Sequence, residues 1–493
     1  MEILFHDHTA PVYTDLARMT KQTAVAMESV VPDTKDDIGR ILSVRPALYL
    51  KSRELQGSRA AVGAEAAVCV LYVNEDENAV ASFTVRQDLV FEFELPAAAD
   101  DSCLLQCRLG TGGVQARLLN TRKLGIELEA SCTVALSAKT ELPVSQEPEE
   151  CSSVTLHLLE EETKARLLTS VCEKAVSFSE QFGFDGEPAE PEELVYMEKE
   201  LIVAERQIIA DRLLVKGEVR LTVDYLGGGR NDLHRKMLSL PFSQLIDLGE
   251  EAVEQAAIRV EWTSGHAELV ETIEGKKMLN VDLRALLQLR GTAEKTVRCV
   301  TDAYCNAMPC VCRSESMILP SVPDESVVRL SGEDGAELPE DFQSVLAAYL
   351  TPGRCSAEKG TVLAELLCLT GDNRLSVVRR TVAMSGEAEE NFEVNACRVT
   401  EFSAEPEGER IRIAVAAEVL GGRDGRTAIE RVCAVNLDES AAFDSSASPS
   451  LTAVWAETET VWELAKLYRS SPEAIRACNE DLSVNPVFIP KSK

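Results

Sequence analysis

Four cysteines that lie close together along the chain are the group most suited to bind a metal. Cys299, Cys305, Cys310 and Cys312 fall within fourteen residues, and cysteine thiolates are common ligands of structural zinc. Their gaps of five, four and one residue lack the paired Cys-x-x-Cys spacing of such sites. Cys310 and Cys312 are also spaced to share one face of a strand. A zinc or redox site and a set of buried thiols compete here, and we favour buried thiols.

Histidines and glycine-rich stretches are the other candidates for ligand binding. His6-Asp7-His8 could ligate a metal, but the five histidines are scattered, so an exposed terminus is the favoured interpretation. Residues 110–113 and 227–230 are rich in glycine but precede no Lys-Ser or Lys-Thr pair, so we predict hairpin turns rather than phosphate loops. The chain contains neither Gly-x-Ser-x-Gly nor His-Glu-x-x-His. We therefore expect no enzyme, no catalytic residue, no cofactor and no bound metal.

The C-terminal forty residues show a different pattern, with two short helices between two short strands. Thr460 and Glu463 form a predicted capping box, in which the Thr hydroxyl accepts from the third residue's N–H and Glu reaches back. Ser471 as N-cap and Pro472 at the first helical position begin a second helix, and Asn479 suits its C-terminus. Strand candidates lie on each side, at residues 452–456 and 487–490. The predicted order is β-α-α-β.

This segment, residues 451–491, resembles a LysM domain. The family pattern Gly-Asp-Thr-Leu, Trp, Ile-Ala, Tyr, Asn, Ile-Pro is similar to Thr458-Glu459-Thr460-Val461, Trp462, Leu464-Ala465, Tyr468, Asn479 and Ile489-Pro490. The resemblance implies a groove for N-acetylglucosamine chains between the loop after the first strand and the loop after the second helix. Thr458 and Glu459 depart from the family's Gly-Asp, and its Gly-Gln before the last strand is missing, which weakens the expectation of sugar binding. Residues of these loops are the predicted partner- or glycan-binding site: Glu459, Thr460, Trp462, Asn479 and Leu482.

Composition limits the classes of partner. The chain has 493 residues, and 82 acidic against 50 basic side chains leave a net charge of −32. Such a surface repels phosphate backbones and anionic lipid, so we expect no nucleic-acid or membrane-surface binding. The longest clean apolar run, residues 66–73, is too short for a membrane span. Fifteen cysteines and an N-terminus without a secretory pattern predict reduced thiols in a cytoplasm.

A long internal repeat determines the predicted architecture. Residues 217–225 alternate apolar and polar side chains, which is typical of a half-buried strand. Similar strands place Tyr72, Tyr225 and Cys368 at matched positions, 153 and 143 residues apart. A second strand recurs downstream of each: Leu124/Ile126/Leu128, Leu279/Val281/Leu283 and Ile411/Ile413/Val415. We predict tandem modules of mainly antiparallel β structure, as sandwiches or partial barrels with a few helices.

The predicted boundaries are residues 1–150, 151–312 and 313–445 for the three β modules, followed by the LysM-like domain at 451–491. The third module is the weakest match to the repeat. Polar stretches 137–152 and 440–450 are predicted linkers, and residues 240–243 a turn. A helix is predicted between residues 159 and 176, because Ala165, Leu168, Cys172 and Ala175 would share one face.

The arrangement also resembles the SipL-like family of clostridial spore-coat morphogenetic proteins, which combine SPOCS-type sporulation domains with a C-terminal LysM domain. Residues 63–73 and 215–226 and the segment 240–243 carry this second resemblance. It implies a non-catalytic scaffold of spore-coat assembly, located in the mother-cell cytoplasm at the forespore surface. The implied partner is the coat basement-layer ATPase, or another coat protein, bound through LysM.

Two other functions remain open at this stage. The chain could be a cell-envelope protein whose LysM domain binds peptidoglycan glycan chains. It could also be an envelope hydrolase that uses LysM for targeting, since catalytic triads assemble from distant residues. Binding of peptidoglycan as against coat proteins discriminates the first of these from the scaffold.

Overall fold

Antiparallel β-strands make up most of the chain in the computed structural model, which describes residues 1–77, 79–96, 99–100, 102–149, 155–229, 232–322, 326–371, 374–387, 392–423, 427–443 and 449–491. These residues form twenty-two strands, two α-helices and one short 3-10 turn. The predicted fold class, mainly β with a small βααβ unit, is confirmed.

One order of strands occurs three times along the chain. Each segment begins with a long strand, continues through a three-stranded meander and an edge strand, and ends with a second long strand that pairs with the first. In the first segment the strands are β1 (Glu2–Val30), β2 (Ile38–Gln56), β3 (Arg59–Asn74), β4 (Val80–Glu94), β5 (Leu104–Asn120) and β6 (Lys123–Pro148). In the second they are β7 (Leu156–Gly183), β8 (Glu193–Ile209), β9 (Arg212–Leu226), β10 (Leu233–Asp247), β11 (Gln255–Glu271) and β12 (Lys277–Cys305).

The third segment follows the same order with its long strands divided. Its strands are β13 (Cys310–Leu319), β14 (Ser326–Glu337), β15 (Phe342–Cys355), β16 (Lys359–Thr370), β17 (Leu375–Ser385), β18 (Phe392–Glu407), β19 (Arg410–Arg423) and β20 (Thr427–Leu437). Here β13 with β14, and β19 with β20, take the places of the single long strands. A bridge between β14 and β17 joins the meander to the other strands, so β15-β16-β17-β14-β19-β18 forms one curved sheet.

The repeat landmarks lie where their alternation predicts. Tyr72, Tyr225 and Cys368 lie in the middle strands of the three meanders, and all three are fully buried. The second landmarks lie in β6, β12 and β19, with exposures of at most 3%. Each segment therefore encloses its own core between the meander and the paired long strands. Burial of alternate apolar side chains on two facing sheets drives this arrangement.

The far halves of the long strands meet in a bundle that we call the stem. It comprises residues 2–15, 137–148, 156–168, 292–305, 310–319 and 427–437. Here β1 pairs with β20 through residues 2–4 and 434–436, so the first strand of the first segment is adjacent to the last strand of the third. Side chains from all three segments share the stem core, among them Val12, Leu167 and Leu319.

The three meanders meet at a second junction that we call the hub. Its apolar part includes Leu42 from the first segment, Leu226 from the second and Leu367 from the third. Beside these lies a buried ionic group. Asp224 on β9 is fully buried and receives hydrogen bonds from Arg235 on β10 and from the Tyr349 hydroxyl on β15. Stem and hub thus join the segments at two separate places.

Four local predictions are wrong. Residues 159–176 lie in strand β7 rather than in a helix, and residues 110–113 lie within strand β5, with an irregularity after Thr111 instead of a hairpin turn. Residues 240–243 belong to strand β10, paired with β9. Of the predicted linker 137–152, residues 137–148 continue β6 and pair with β1, and residues 150–152 lie outside the described chain. The other turn prediction is confirmed for residues 227–229, between β9 and β10.

Candidate functional site

The C-terminal unit has the predicted βααβ order. Strands β21 (Leu451–Val454) and β22 (Val487–Pro490) pair antiparallel, and helices α1 (Val461–Tyr468) and α2 (Pro472–Cys478) lie between them in sequence. The predicted capping box at Thr460 and Glu463 is present. Ser471 is the N-cap of α2, and Pro472 is its first residue. The core of this small unit consists of Leu464, Ala465, Ile475, Val487 and Ile489.

A tyrosine of the stem completes that core. Tyr304 near the end of β12 is 3% exposed and belongs to the same apolar cluster as the residues of α1 and β22. Its hydroxyl donates to the backbone oxygen of Ser470 at 2.7 Å. One face of its ring stacks on His157 at 4.9 Å, and the Trp462 ring meets it edge-on at 4.9 Å. The C-terminal unit therefore lies against the stem through an aromatic contact.

A carboxylate beside Tyr304 strengthens the same contact. The Asp302 carboxylate accepts from the Lys466 ammonium at 2.7 Å and from the Trp462 indole N–H at 2.8 Å. Burial disfavours the charged carboxylate, but the hydrogen bonds from Lys466 and Trp462 outweigh it and hold the pKa of Asp302 below its usual value. Arg469, the C-cap of α1, adds a cation–π contact at 3.2 Å from the centre of the Phe443 ring.

The predicted site residues do not form one open groove. The Glu459 carboxylate accepts from the backbone N–H groups of Glu457 and Thr458, at 2.9 and 3.1 Å. Thr460 is engaged in the capping box with Glu463. The Glu459 carboxylate and the Thr460 hydroxyl, both predicted to contact a partner or glycan, are therefore already bonded within the unit.

The two site residues predicted after helix α2 are also used internally. The Asn479 amide donates to the carbonyls of Ile475 and Phe488, both at 2.7 Å, and accepts from the Phe488 N–H at 2.8 Å. Leu482 packs against the core of the unit. Four of the five predicted site residues therefore stabilise the unit itself, and the fifth, Trp462, binds it to the stem.

An exposed apolar surface of the unit was not predicted from the sequence. Leu451 and Trp455 alternate along the first strand and its continuation, with exposures of 52% and 71%, and Phe488 on β22 is 40% exposed. Ala453 is paired directly with Phe488, so these side chains lie on the outer face of the two-stranded sheet. We call Leu451, Ala453, Trp455 and Phe488 the sheet face. The period-two spacing of residues 451, 453 and 455 is the signal that could have identified it.

The other candidate ligands lie in the stem, the cysteines on β12 and β13 and the histidines on β1, and Cys305, Cys310 and Cys312 share one apolar cluster. Cys299 and Cys305 are buried, and the half-buried Cys310 and Cys312 point their thiols at the Ala303 carbonyl. The side chains of His6 and His8 on β1 are exposed, and they lie beside Glu149 and Glu147 respectively. Within the described ranges, no group of three or more His, Cys, Asp or Glu side chains is arranged to hold a metal ion.

Comparison of the chain with protein-family models, with curated proteins and with solved structures found no match. None of the helices in the described ranges has both the length and the apolar character that crossing a membrane would require.

Proposed function

We propose that this chain is a non-catalytic scaffold of spore-coat assembly that binds the coat basement-layer ATPase, or another coat protein, through its LysM-like unit at the forespore surface. The observation that carries the proposal is the sheet face, an apolar surface presented on a unit that is itself held on the stem. Exposed apolar clusters rimmed by polar residues are typical of protein-interaction sites.

The state of the loop residues supports a protein partner over a glycan. Sugar recognition depends on side chains that can hydrogen-bond hydroxyl groups. Glu459, Thr460 and Asn479 are committed to bonds inside the unit. An exposed tryptophan beside a two-stranded sheet is instead the kind of residue that dominates protein–protein contacts, because a large ring loses water while giving up few rotamers.

Charge supports the same proposal. Glu457, Glu459 and Glu463 border the first loop, and Glu480 with Asp481 border the second, while the whole chain carries a net charge of −32. A partner surface with apolar side chains ringed by lysine or arginine would complement this arrangement. Glycan chains offer no comparable positive charge.

The test uses the full-length chain with Trp455 and Phe488 both replaced by alanine. Binding to the purified coat ATPase should weaken at least tenfold, about 1.4 kcal/mol, measured by biolayer interferometry. Ile273→Ala is the control, because Ile273 is a fully exposed apolar residue on the β11–β12 turn, away from the sheet face. It should leave the affinity unchanged.

Cosedimentation with purified peptidoglycan separates the competing function. The scaffold proposal expects the wild-type chain to stay in the supernatant and to bind coat proteins. Pelleting with peptidoglycan, together with indifference to coat proteins, would establish the glycan-binding alternative and overturn the scaffold. Unchanged ATPase affinity in a folded double variant would instead remove the sheet face from the site.

A further inference from the structure

Two cysteines in the third segment have their sulfur atoms in contact. Cys355 ends strand β15 and Cys397 lies in strand β18, and their Sγ atoms are 2.7 Å apart. Neither thiol is fully buried. Among the cysteines that the structure describes, all are free, and this is the one pair that hydrogen-bonds sulfur to sulfur.

The contact lies at the seam of a nearly closed sheet. The third segment's sheet runs β15-β16-β17-β14-β19-β18, so β15 and β18 are its two edges. Over the described residues no backbone ladder pairs these edges. The two thiols therefore meet where a covalent bond would close the sheet into a barrel.

The first two segments bridge the corresponding seam differently. Arg53 on β2 donates to the Leu105 carbonyl on β5 at 2.6 Å, and Arg206 on β8 donates to the Ala256 carbonyl on β11 at 3.4 Å. The two arginines occupy matched positions, since each pairs with the residue ten places before the landmark tyrosine of its segment. In the third segment β15 ends at Cys355, before the matching position, and the thiol pair lies across the seam instead.

We propose that Cys355 and Cys397 are a modification site that forms a reversible intrachain disulfide with a low-molecular-weight disulfide as oxidant. The Cys355 thiolate attacks one sulfur of the oxidant, whose S–S bond breaks and releases one small thiol. Cys397 then loses its proton and attacks the Cys355 sulfur of the mixed disulfide, which releases the second small thiol. The two protein thiols lose two electrons and two protons, and the oxidant gains them.

The surroundings of Cys397 fit the second step. Burial and the contact with Cys355 raise the pKa of Cys397 to about 12, opposed by the positive charge of Arg108 on β5. A protonated thiol is a poor nucleophile, so Cys397 is the partner that reacts second, after the mixed disulfide has formed on Cys355. The small thiolate that leaves Cys355 takes up the proton.

The experiment treats the full-length chain with glutathione disulfide and reduced glutathione in graded ratios. After quenching in acid, thiols are counted in denaturant and peptides are mapped by mass spectrometry. We expect a peptide joining Cys355 to Cys397, with both of these thiols lost together, and full recovery with dithiothreitol. Cys397→Ser should stop the reaction at Cys355 bound to glutathione.

A matched variant distinguishes this pair from cysteines that are merely close in sequence. Cys310→Ser with Cys312→Ser removes two half-buried thiols on one strand and should leave the oxidation unchanged. The proposal is overturned if wild type accumulates glutathione on Cys355 without the cross-link. It is equally overturned if both thiols remain reduced at ratios that oxidise a vicinal dithiol peptide.

Discussion

The hub and the contact between the stem and the C-terminal unit place similar chemistry in different surroundings. At the hub, Asp224 is fully buried and accepts from Arg235 at 2.7 and 2.9 Å and from the Tyr349 hydroxyl at 2.6 Å. At the stem, Asp302 accepts from Lys466 and from the Trp462 indole, and 28% of its side chain is exposed. Each carboxylate thus receives a cation and an aromatic donor, but only at the hub is the group enclosed.

Burial of a charged group determines how much folding stability is lost when its partner is removed. A buried charge that loses its partner cannot recruit water, whereas a half-exposed one can. The hub also receives Arg45 from the first segment, stacked 4.0 Å from the Tyr349 ring centre and paired with Glu365 at 2.8 Å. The three segments therefore share one buried ionic group, while the C-terminal unit is held by a contact that water can reach. We infer that strands β1–β20 form one fused β body, from which the C-terminal unit can detach.

The largest expected effect comes from opening the hub. Asp224→Ala leaves the half-buried Arg235 guanidinium and the buried Tyr349 hydroxyl without this acceptor. We expect the free energy of unfolding to fall by about 3–5 kcal/mol, measured as a shift of the urea midpoint of the β body. Asp334→Ala is the control, because Asp334 makes a similar bidentate pair with Arg380 on the exposed surface. Equal losses in the two variants would contradict the role of enclosure.

The contact between the first two segments contains a second buried carboxylate, Glu261, whose titration should make the stability of this contact depend on pH. Burial raises the pKa of Glu261 to about 7, opposed by the hydrogen bond from the Leu109 N–H. Because the folded pKa lies above the usual 4.5, the carboxyl stabilises most at low pH, and this contribution is lost as pH rises through about 7. Glu261→Gln should therefore gain stability over wild type between pH 5 and pH 9, by up to about 3 kcal/mol. Urea unfolding at each pH measures this stability difference between Glu261→Gln and wild type. A difference that does not change between pH 5 and pH 9 would disprove the raised pKa of Glu261.

At the stem contact, Trp462→Ala should release the C-terminal unit without unfolding the β body. The substitution removes the edge contact with Tyr304 and the indole donor to Asp302, a loss of about 2 kcal/mol. Hydrogen exchange should accelerate in residues 451–491 while the urea midpoint of the β body stays constant. Trp455→Ala, on the exposed sheet face, should leave exchange as in wild type. Protection that survives in Trp462→Ala would show that the unit is held by other contacts.

The smallest expected effect is the response of the same contact to acid. The pKa of Asp302 is held below its usual 3.8, so its ionised form favours docking above that value, and the benefit is lost as pH falls through the lower, docked pKa. Hydrogen exchange in residues 451–491 of the wild-type chain should therefore accelerate more below pH 4 than in Asp302→Asn, which has no carboxyl to titrate. Parallel pH profiles for the two proteins would rule out Asp302 as the cause.

Sequence patterns predicted the elements that repeat or carry strong local signals. Alternation identified the landmark strands around Tyr72 and Tyr225, and the capping box identified the start of α1. The predicted helix at residues 159–176 is strand β7 because residues 167–171 are buried on both faces. A strand covered on both sides loses its polar alternation, and its apolar spacing can then match a helical period.

The sequence by itself determined the landmark strands of the repeat, the apolar face of each of these strands and the starts of the two C-terminal helices, because these depend on neighbours a few residues away. It placed Asp224 on the polar face of β9, where water would be expected. Only the tertiary structure decided that Tyr349 and Arg235 cover this face, and that Trp462 meets Asp302 across 160 residues of chain. Contacts between segments depend on how whole sheets pack together, and local periodicity carries no information on that.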